Sequence, residues 1–307
     1  MQVAVIGTGV IGASWASCFL ATGHDVRAAD PSPGAEASLR RAVAAHWPAM
    51  TAMGLASGAS PDRLAFSASA EDAAAGAGFV QENGPERLDF KRDLFRRLDG
   101  AAAPDVPLAS SSSTLMVSQF QDACAHPGRV LLGHPFNPPH LIPLVEVCGG
   151  RDTSEAALDA AMAFYAGCGK HPIRLRREMR GHVANRLQAA LWQEAFHLVR
   201  EGVATVADVD AAIAHGPGLR WALLGPFLNL HLSGGPGGIG HMLEHLGPPT
   251  EVMWRDLGRV TLDDATKAAV TEGIGEVLAG RDLPAVVAQR DAVLLELLRR
   301  KADAGLA

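Results

Sequence analysis

Two stretches of the 307-residue sequence hold side chains able to move a proton. His134 sits in GHPFNP at Gly133–Pro138, and Glu146 follows in LVEV at Leu144–Val147. A histidine with an acid in reach makes a general base whose tautomer the acid can hold. Ahead of them, Ala109–Leu115 reads ASSSSTL, hydroxyls suited to hydrogen-bonding a substrate oxygen. Each has a plainer use, since serine runs also make turns and helix caps. Their weight comes from a third stretch, GTGVIG at Gly7–Gly12. There the first glycine permits a tight turn, the second lets backbone approach a pyrophosphate, and the third lets helix pack on strand. The residues Gly7, Gly9, Val10, Ile11 and Gly12 would thus cradle a dinucleotide at a helix N-terminus. Asp30 follows about 20 residues later at a strand end, where a carboxylate can accept both ribose hydroxyls and repel the 2′-phosphate of NADP. NAD is the expected cofactor.

These stretches need a scaffold, and the pattern supplies one. Short apolar runs at Val3–Ile6, His24–Asp30, Gly78–Glu82, Val106–Ser110 and Val130–His134 alternate with helical patterns at Ile11–Ala21 and Leu88–Leu98. Leu144–Val147 and Pro172–Leu175 extend the series. Such alternation predicts a buried, doubly wound parallel sheet of Rossmann type, with ligands outside the carboxyl ends of its strands. Beyond about residue 180 strand signals stop. His182–Glu201 is apolar on both sides and predicts a helix buried on both sides, central to an all-α second domain. Val206–Ala214, Leu243–His245, Asp263–Ala279 and Ala285–Arg300 complete that domain, while Ser233–Gly240 reads as a loop. The expected domains are 1–179 and 180–307.

Composition narrows the classes. A net charge of −6 leaves no footprint for nucleic acid or an anionic membrane. The longest apolar run, Trp221–Leu232, is broken by Gly225 and Pro226 and too short for a membrane span. Cys18, Cys124, Cys148 and Cys168 lie far apart, without metal-ligand spacing, and read as buried thiols. No metal is expected. The chain starts directly with a strand, and a cytoplasmic protein is expected.

Taken together, GTGVIG, VQENGPERLDFK at Val80–Lys91, the serine run, GHPFNP, LVEV and GHVANR at Gly181–Arg186 resemble the 3-hydroxyacyl-CoA dehydrogenase family over essentially the whole chain. The Val80–Lys91 wording and GLRWALLGPF at Gly218–Phe227 look closer to its L-carnitine dehydrogenase and lambda-crystallin (L-gulonate 3-dehydrogenase) branch, which acts on free 3-hydroxy acids. The resemblance implies His134 as catalytic base, Glu146 as its orienting acid, and Ser113 and Asn185 as partners of the reacting oxygen. It places Glu86, Lys91, Ser113 and Asn137 with the cofactor. The family commonly has Asn-Thr where this chain has Ser111-Ser112, and an apolar residue where it has His182.

The substrate is less specified. Asp30–Ala70 offers only Arg40, Arg41 and Arg63 to meet the phosphates of coenzyme A, which tilts toward a free acid. Arg220 can fork a carboxylate, with Trp221 or Phe227 shaping the pocket. For carnitine, Trp192, Trp221, Phe227 and Trp254 supply aromatic faces for a trimethylammonium. Carnitine, gulonate and 3-hydroxybutyrate stay open, beside a 3-hydroxyacyl-CoA thioester, a polyketide-like β-keto acid reduced by the same residues, and an NAD-binding crystallin without catalysis. A homodimer through the helical domain is expected from the family and the two-sided helix.

Overall fold

The computed structural model describes residues 1–306, and in it every apolar run of the first half becomes a strand of one sheet. The strands are β1 (Gln2–Ile6), β2 (Asp25–Ala29), β3 (Leu64–Phe66), β4 (Phe79–Glu82), β5 (Leu108–Ser110), β6 (Val130–Pro135), β7 (Leu144–Gly149) and β8 (His171–Arg174). Their order is β3-β2-β1-β4-β5-β6-β7-β8, parallel throughout except where β6 meets β7. Helices α1 (Val10–Ala21), α2 (Ala35–Met53), α3 (Ala70–Ala74), α4 (Leu88–Ala101) and α5 (Glu155–Gly167) connect or flank them. Alternate residues of a strand face opposite sides, and β1 shows the result. Val3 and Val5 join Trp15, Phe19 and Tyr165 in one apolar cluster, while Ala4 and Ile6 join Leu94, Phe95 and Phe120 in another. A sheet covered on both faces explains why its strands are continuous apolar runs.

The doubly wound sheet followed by helices, expected from the pattern, is the observed architecture. Compact packing divides the chain into a unit of Met1–Asn185 and a second unit from Arg186 onward. The second is helical: the remainder of α6 (Ala184–Arg200), then α7 (Val206–Ala214), α8 (Pro217–Leu223), α9 (Pro226–Ser233), α10 (Gly238–Asp256), α11 (Asp264–Leu278) and α12 (Leu283–Asp303). Two expectations are corrected. Ser233–Gly240 is not an open loop: Ser233 ends α9, Gly235–Gly237 makes one tight turn, and α10 starts at Gly238. Gly235 and Gly238 there take positive φ, so the glycines serve a sharp helix-to-helix reversal. Nor is α6 buried on both sides within one chain, since Leu187 is 60% exposed and Trp192 50%. No helix among the described residues is long and apolar enough to cross a membrane. All four cysteines are free and buried.

The hairpin that departs from parallel pairing positions the site. In an antiparallel pair, opposed residues share a face, and here His134 stands opposite Glu146. Gly133 beside it is packed so tightly that an added Cβ would fall 1.8 Å from the Tyr165 hydroxyl. Tyr165 cannot yield, being fully buried against Trp15 and Phe79. Gly133→Ala is therefore expected to destabilise the fold by about 1–3 kcal/mol, the usual cost of overpacking. Urea unfolding monitored by tryptophan fluorescence checks this.

Candidate active site

The glycine turn joins β1 to α1, as the GTGVIG pattern requires. A Cβ on Gly12 would lie 1.9 Å from the Gly7 carbonyl oxygen, so only glycine lets the helix approach its strand there. A Cβ added to Gly9 would meet nothing within 4 Å, so that side of the turn is open to a ligand. Beside it is a cleft of about 550 Å³ whose lining includes Gly7, Gly9, Asp30, Asn83, Phe90 and Arg97. Asp30 takes the Thr8 N–H at 2.8 Å on one oxygen and the Ser32 N–H at 2.9 Å on the other. Partial burial pushes its pKa up, but the bonds from Thr8 and Ser32 more than offset that and leave it lowered. An ionised acid, an open glycine turn and a helix N-terminus fit an NAD dinucleotide. Val10 is 73% exposed at the start of α1, and Ile11 is half-buried.

Across the sheet edge, His134 Nδ1 lies 3.0 Å from Glu146 Oε2. A carboxylate accepts, so Nδ1 carries the proton of the neutral ring and Nε2 is left as the basic nitrogen. Glu146 is wholly buried, and its other oxygen accepts the N–H groups of Val183 and Ala184 at 2.8 and 3.0 Å, where α6 starts. Burial raises its pKa, but the bonds from His134, Ala184 and Val183 prevail and lower it. Asn185, next in the same helix, is half-buried, and its amide has no hydrogen bond among the described residues.

The serine run resolves into separate duties. Ser110 Oγ donates to Glu82 at 2.7 Å, Ser111 Oγ to Asn83 at 2.7 Å, and Ser112 Oγ to Glu86 at 2.7 Å. Thr114 gives its N–H and hydroxyl to Glu86 at 2.7 and 2.9 Å. Half-buried Ser113 alone of the run has a hydroxyl with no partner among the described residues. Only that hydroxyl is available to a substrate oxygen.

Glu86 thus serves as a clamp on the 112–115 loop. Burial raises its pKa, but Ser112, Thr114 and nearby Lys91 lower it overall. Lys91 does not line the cleft as its assignment to the cofactor suggested. It is 1% exposed, with Nζ 2.8 and 2.9 Å from the two oxygens of buried Glu82. A buried ammonium needs such pairing. Glu82 also accepts the Gly84 N–H at 2.6 Å, so the pair anchors the turn after β4. Asn137 sits exposed on the turn after β6, without a side-chain hydrogen bond among the described residues. Arg220 and Trp221 both lie exposed on α8 of the second unit.

Sequence reasoning passed over the buried polar network under the site. Gln81 donates from Nε2 to Ser111 Oγ at 2.9 Å and to the Gly133 carbonyl at 3.2 Å, while Tyr165 donates to its Oε1 at 2.5 Å. Trp15 Nε1 also donates to Ser111, at 3.2 Å. Gln81 therefore ties the serine loop to the strand that bears His134. A glutamine inside an apolar strand was the available signal.

Among the described residues, no cluster of three or more His, Cys, Asp or Glu is placed to hold a metal ion.

Comparison with known proteins identifies a family. The 3-hydroxyacyl-CoA dehydrogenase NAD binding domain matches residues 2–179, and the C-terminal domain of the same enzymes matches 181–273. An L-carnitine dehydrogenase of Streptomyces griseus is 52% identical over 298 residues, 97% of this chain and 89% of that protein. One of Pseudomonas aeruginosa is 47% identical, over 96% of this chain and 92% of that protein. Among solved structures, a 5-formyl-3-hydroxy-2-methylpyridine 4-carboxylic acid 5-dehydrogenase, described as an NAD+-dependent dismutase, superposes with a TM-score of 0.84 at 26% identity, covering 98% of each chain.

Two outcomes follow from the geometry. Glu146→Gln keeps an acceptor for α6, but its amide must donate to His134 Nδ1, which moves the ring proton to Nε2 and removes the base. By analogy with a serine-protease triad, kcat should fall about 10³- to 10⁴-fold, with circular dichroism unchanged. The pH dependence of stability has a defined sign. His182 and His24 have pKa values lowered from 6.5, chiefly by burial, so the unfolded chain takes up their protons first. Glu146 and Glu86 are lowered from 4.5. Each contribution is complete above the unfolded value and is lost as pH falls toward the folded one. Urea midpoints should therefore decline first below about pH 6.5 and again below about pH 4.5; a midpoint that rises on acidification would contradict the assignment.

Proposed function

Because the chain belongs to the 3-hydroxyacyl-CoA dehydrogenase family, we propose that the 3-hydroxy acid it acts on is L-carnitine. The chain is an NAD-dependent oxidoreductase that transfers hydride between nicotinamide and C3 of a 3-hydroxy acid. The observation that carries the carnitine reading is its 44–52% identity, over 96–97% of its length, to proteins named L-carnitine dehydrogenase. Two features support it. The Asp30–Ala70 segment is poor in cations for a coenzyme A substrate. The second unit carries Trp192, Trp221, Phe227 and Trp254, all at least 45% exposed, as faces for a quaternary ammonium.

In the proposed mechanism His134 Nε2 takes the C3 hydroxyl proton, and Glu146 steadies the imidazolium that results. Ser113 and Asn185, whose polar groups are uncommitted, hold the oxygen as it becomes a carbonyl. Bound NAD supplies the hydride acceptor. The glycine turn of Gly7, Gly9 and Gly12, which leads into the N-terminus of α1, would hold it together with Asp30, and Arg220 is the proposed anchor of the substrate carboxylate. The same reading places the enzyme in the cytoplasm, where an NAD pool is available.

The same reading includes a homodimer through the helical unit. Helices α6, α7, α8, α9 and α12 bury no residue within one chain, while Leu187, Phe227, Leu232 and Val293 are each at least 60% exposed. Apolar exposure on that scale asks for a partner surface, and a second copy supplies it.

The assay is NADH formation at alkaline pH with L-carnitine, L-gulonate, D- and L-3-hydroxybutyrate and 3-hydroxybutyryl-CoA. Turnover of L-carnitine above the rest, abolished in His134→Ala, is expected; preference for another substrate overturns the carnitine reading. Light scattering after size exclusion should give twice the 32.1 kDa chain mass, and a clean monomer would remove the dimer.

A further inference from the structure

The loop that presents Ser113 is held from two directions. Glu86 clamps it through Ser112, Thr114 and Leu115. From the other direction, the carbonyl oxygen of Ser112 lies 3.0 Å from His182 Nε2. A carbonyl only accepts, so Nε2 carries the ring proton and the bond runs from imidazole to backbone. Ser112 immediately precedes Ser113, and fixing its carbonyl fixes the peptide plane that leads into Ser113.

His182 is unusual on three counts. Its backbone has φ of 52°, the only positive φ outside glycine among the described residues. L side chains rarely adopt that conformation, and glycine would suit it better. The conformation also turns the chain into α6, whose first N–H groups reach Glu146. Its ring is 4% exposed and lies 4.9 Å, centroid to centroid, from that of His134. The ring thus lies between the proposed base and the serine loop, with its Nε2 committed to the Ser112 carbonyl. Its pKa is lowered overall: burial lowers it most, the Ser112 bond raises it, His134 lowers it, and Glu146 and Glu86 raise it. A neutral neighbour lets His134 gain a proton without a second positive charge beside it.

We propose that His182 is a positioning residue, which through the Ser112 carbonyl sets the Ser113 hydroxyl in register with His134. The inference rests on the roles proposed above for Ser113 and His134, and not on which 3-hydroxy acid is turned over.

The test compares kcat and KM for His182→Phe, His182→Asn, His182→Gln, Ser113→Ala and the double variant His182→Phe/Ser113→Ala. Phenylalanine fills the space without the bond. Asparagine tolerates the left-handed backbone but is too short to span to Ser112. Both should lower kcat about 10- to 100-fold, the scale of a small misplacement near the chemistry, with KM for NAD unchanged. Glutamine places a donor near the position of Nε2 and should restore most of the loss. If His182 acts through Ser113, the double variant falls no lower than Ser113→Ala. Wild-type kcat in both His182→Phe and His182→Asn, or fully multiplicative losses in the double variant, would overturn the proposal. Should Ser113→Ala and His134→Ala themselves be fully active, the assignment of the site fails first, and the two failures are told apart.

Discussion

A carboxylate with no exposure to water must satisfy both of its oxygens inside the protein, and Glu146 does so in a way that organises the site. One oxygen holds Nδ1 of His134 across the β6–β7 pair, and the other takes two backbone N–H groups where α6 starts. Strand, hairpin partner and helix are thereby joined at one residue. The helix N-terminus also contributes its positive dipole end, which favours the ionised acid. The proposed base gets its tautomer and the chain leading to Asn185 its direction from the same group. Leaving either side unpaired would expose a buried charge, so the arrangement holds as a whole or not at all.

Around this centre, polar residues are stacked in depth. Glu82 and Lys91 form a buried ion pair under the turn after β4, and Ser110 is bound to it. Gln81 links Tyr165, Ser111 and the Gly133 carbonyl, so two neighbouring strand ends share one side chain. Such networks are costly when incomplete and rigid when complete; here no buried side-chain N or O among the described residues lacks a partner. Rigidity matters because orientation, more than any single contact, determines whether a hydroxyl and a base meet the same substrate atom.

How much of this was legible in the sequence varied with the physics involved. The glycine turn and Asp30 were readable because backbone sterics and ribose geometry demand particular residues at fixed spacing. The strands were readable because a sheet covered on both faces must be apolar. β3 escaped notice at three residues, and α2 at 35–53 because Pro48 and mixed polarity blur its pattern. Four adjacent serines look alike in a sequence, and which one is free depends on Glu82, Asn83 and Glu86 arriving from another strand. Lys91 was assigned to the cofactor by resemblance, yet nothing local reveals that Glu82 claims it. For α6, the apolar pattern predicted contact on two sides, and one chain does not supply it, since Leu187 and Trp192 stay exposed.

The direct opposition of His134 and Glu146 across an antiparallel pair has a consequence for how such a protein can change. Side chains alternate between faces along a strand, so a slip of one residue would set Val145 or Val147 opposite His134 and send the acid to the far side. The spacing of the two residues is therefore written in the ladder, and the connection at 136–143 is free of that duty. Insertions and deletions in the connection can alter what surrounds the mouth of the site while the pair itself is inherited intact. Diversification of substrate can proceed at the loop without renegotiating the proton chemistry beneath it.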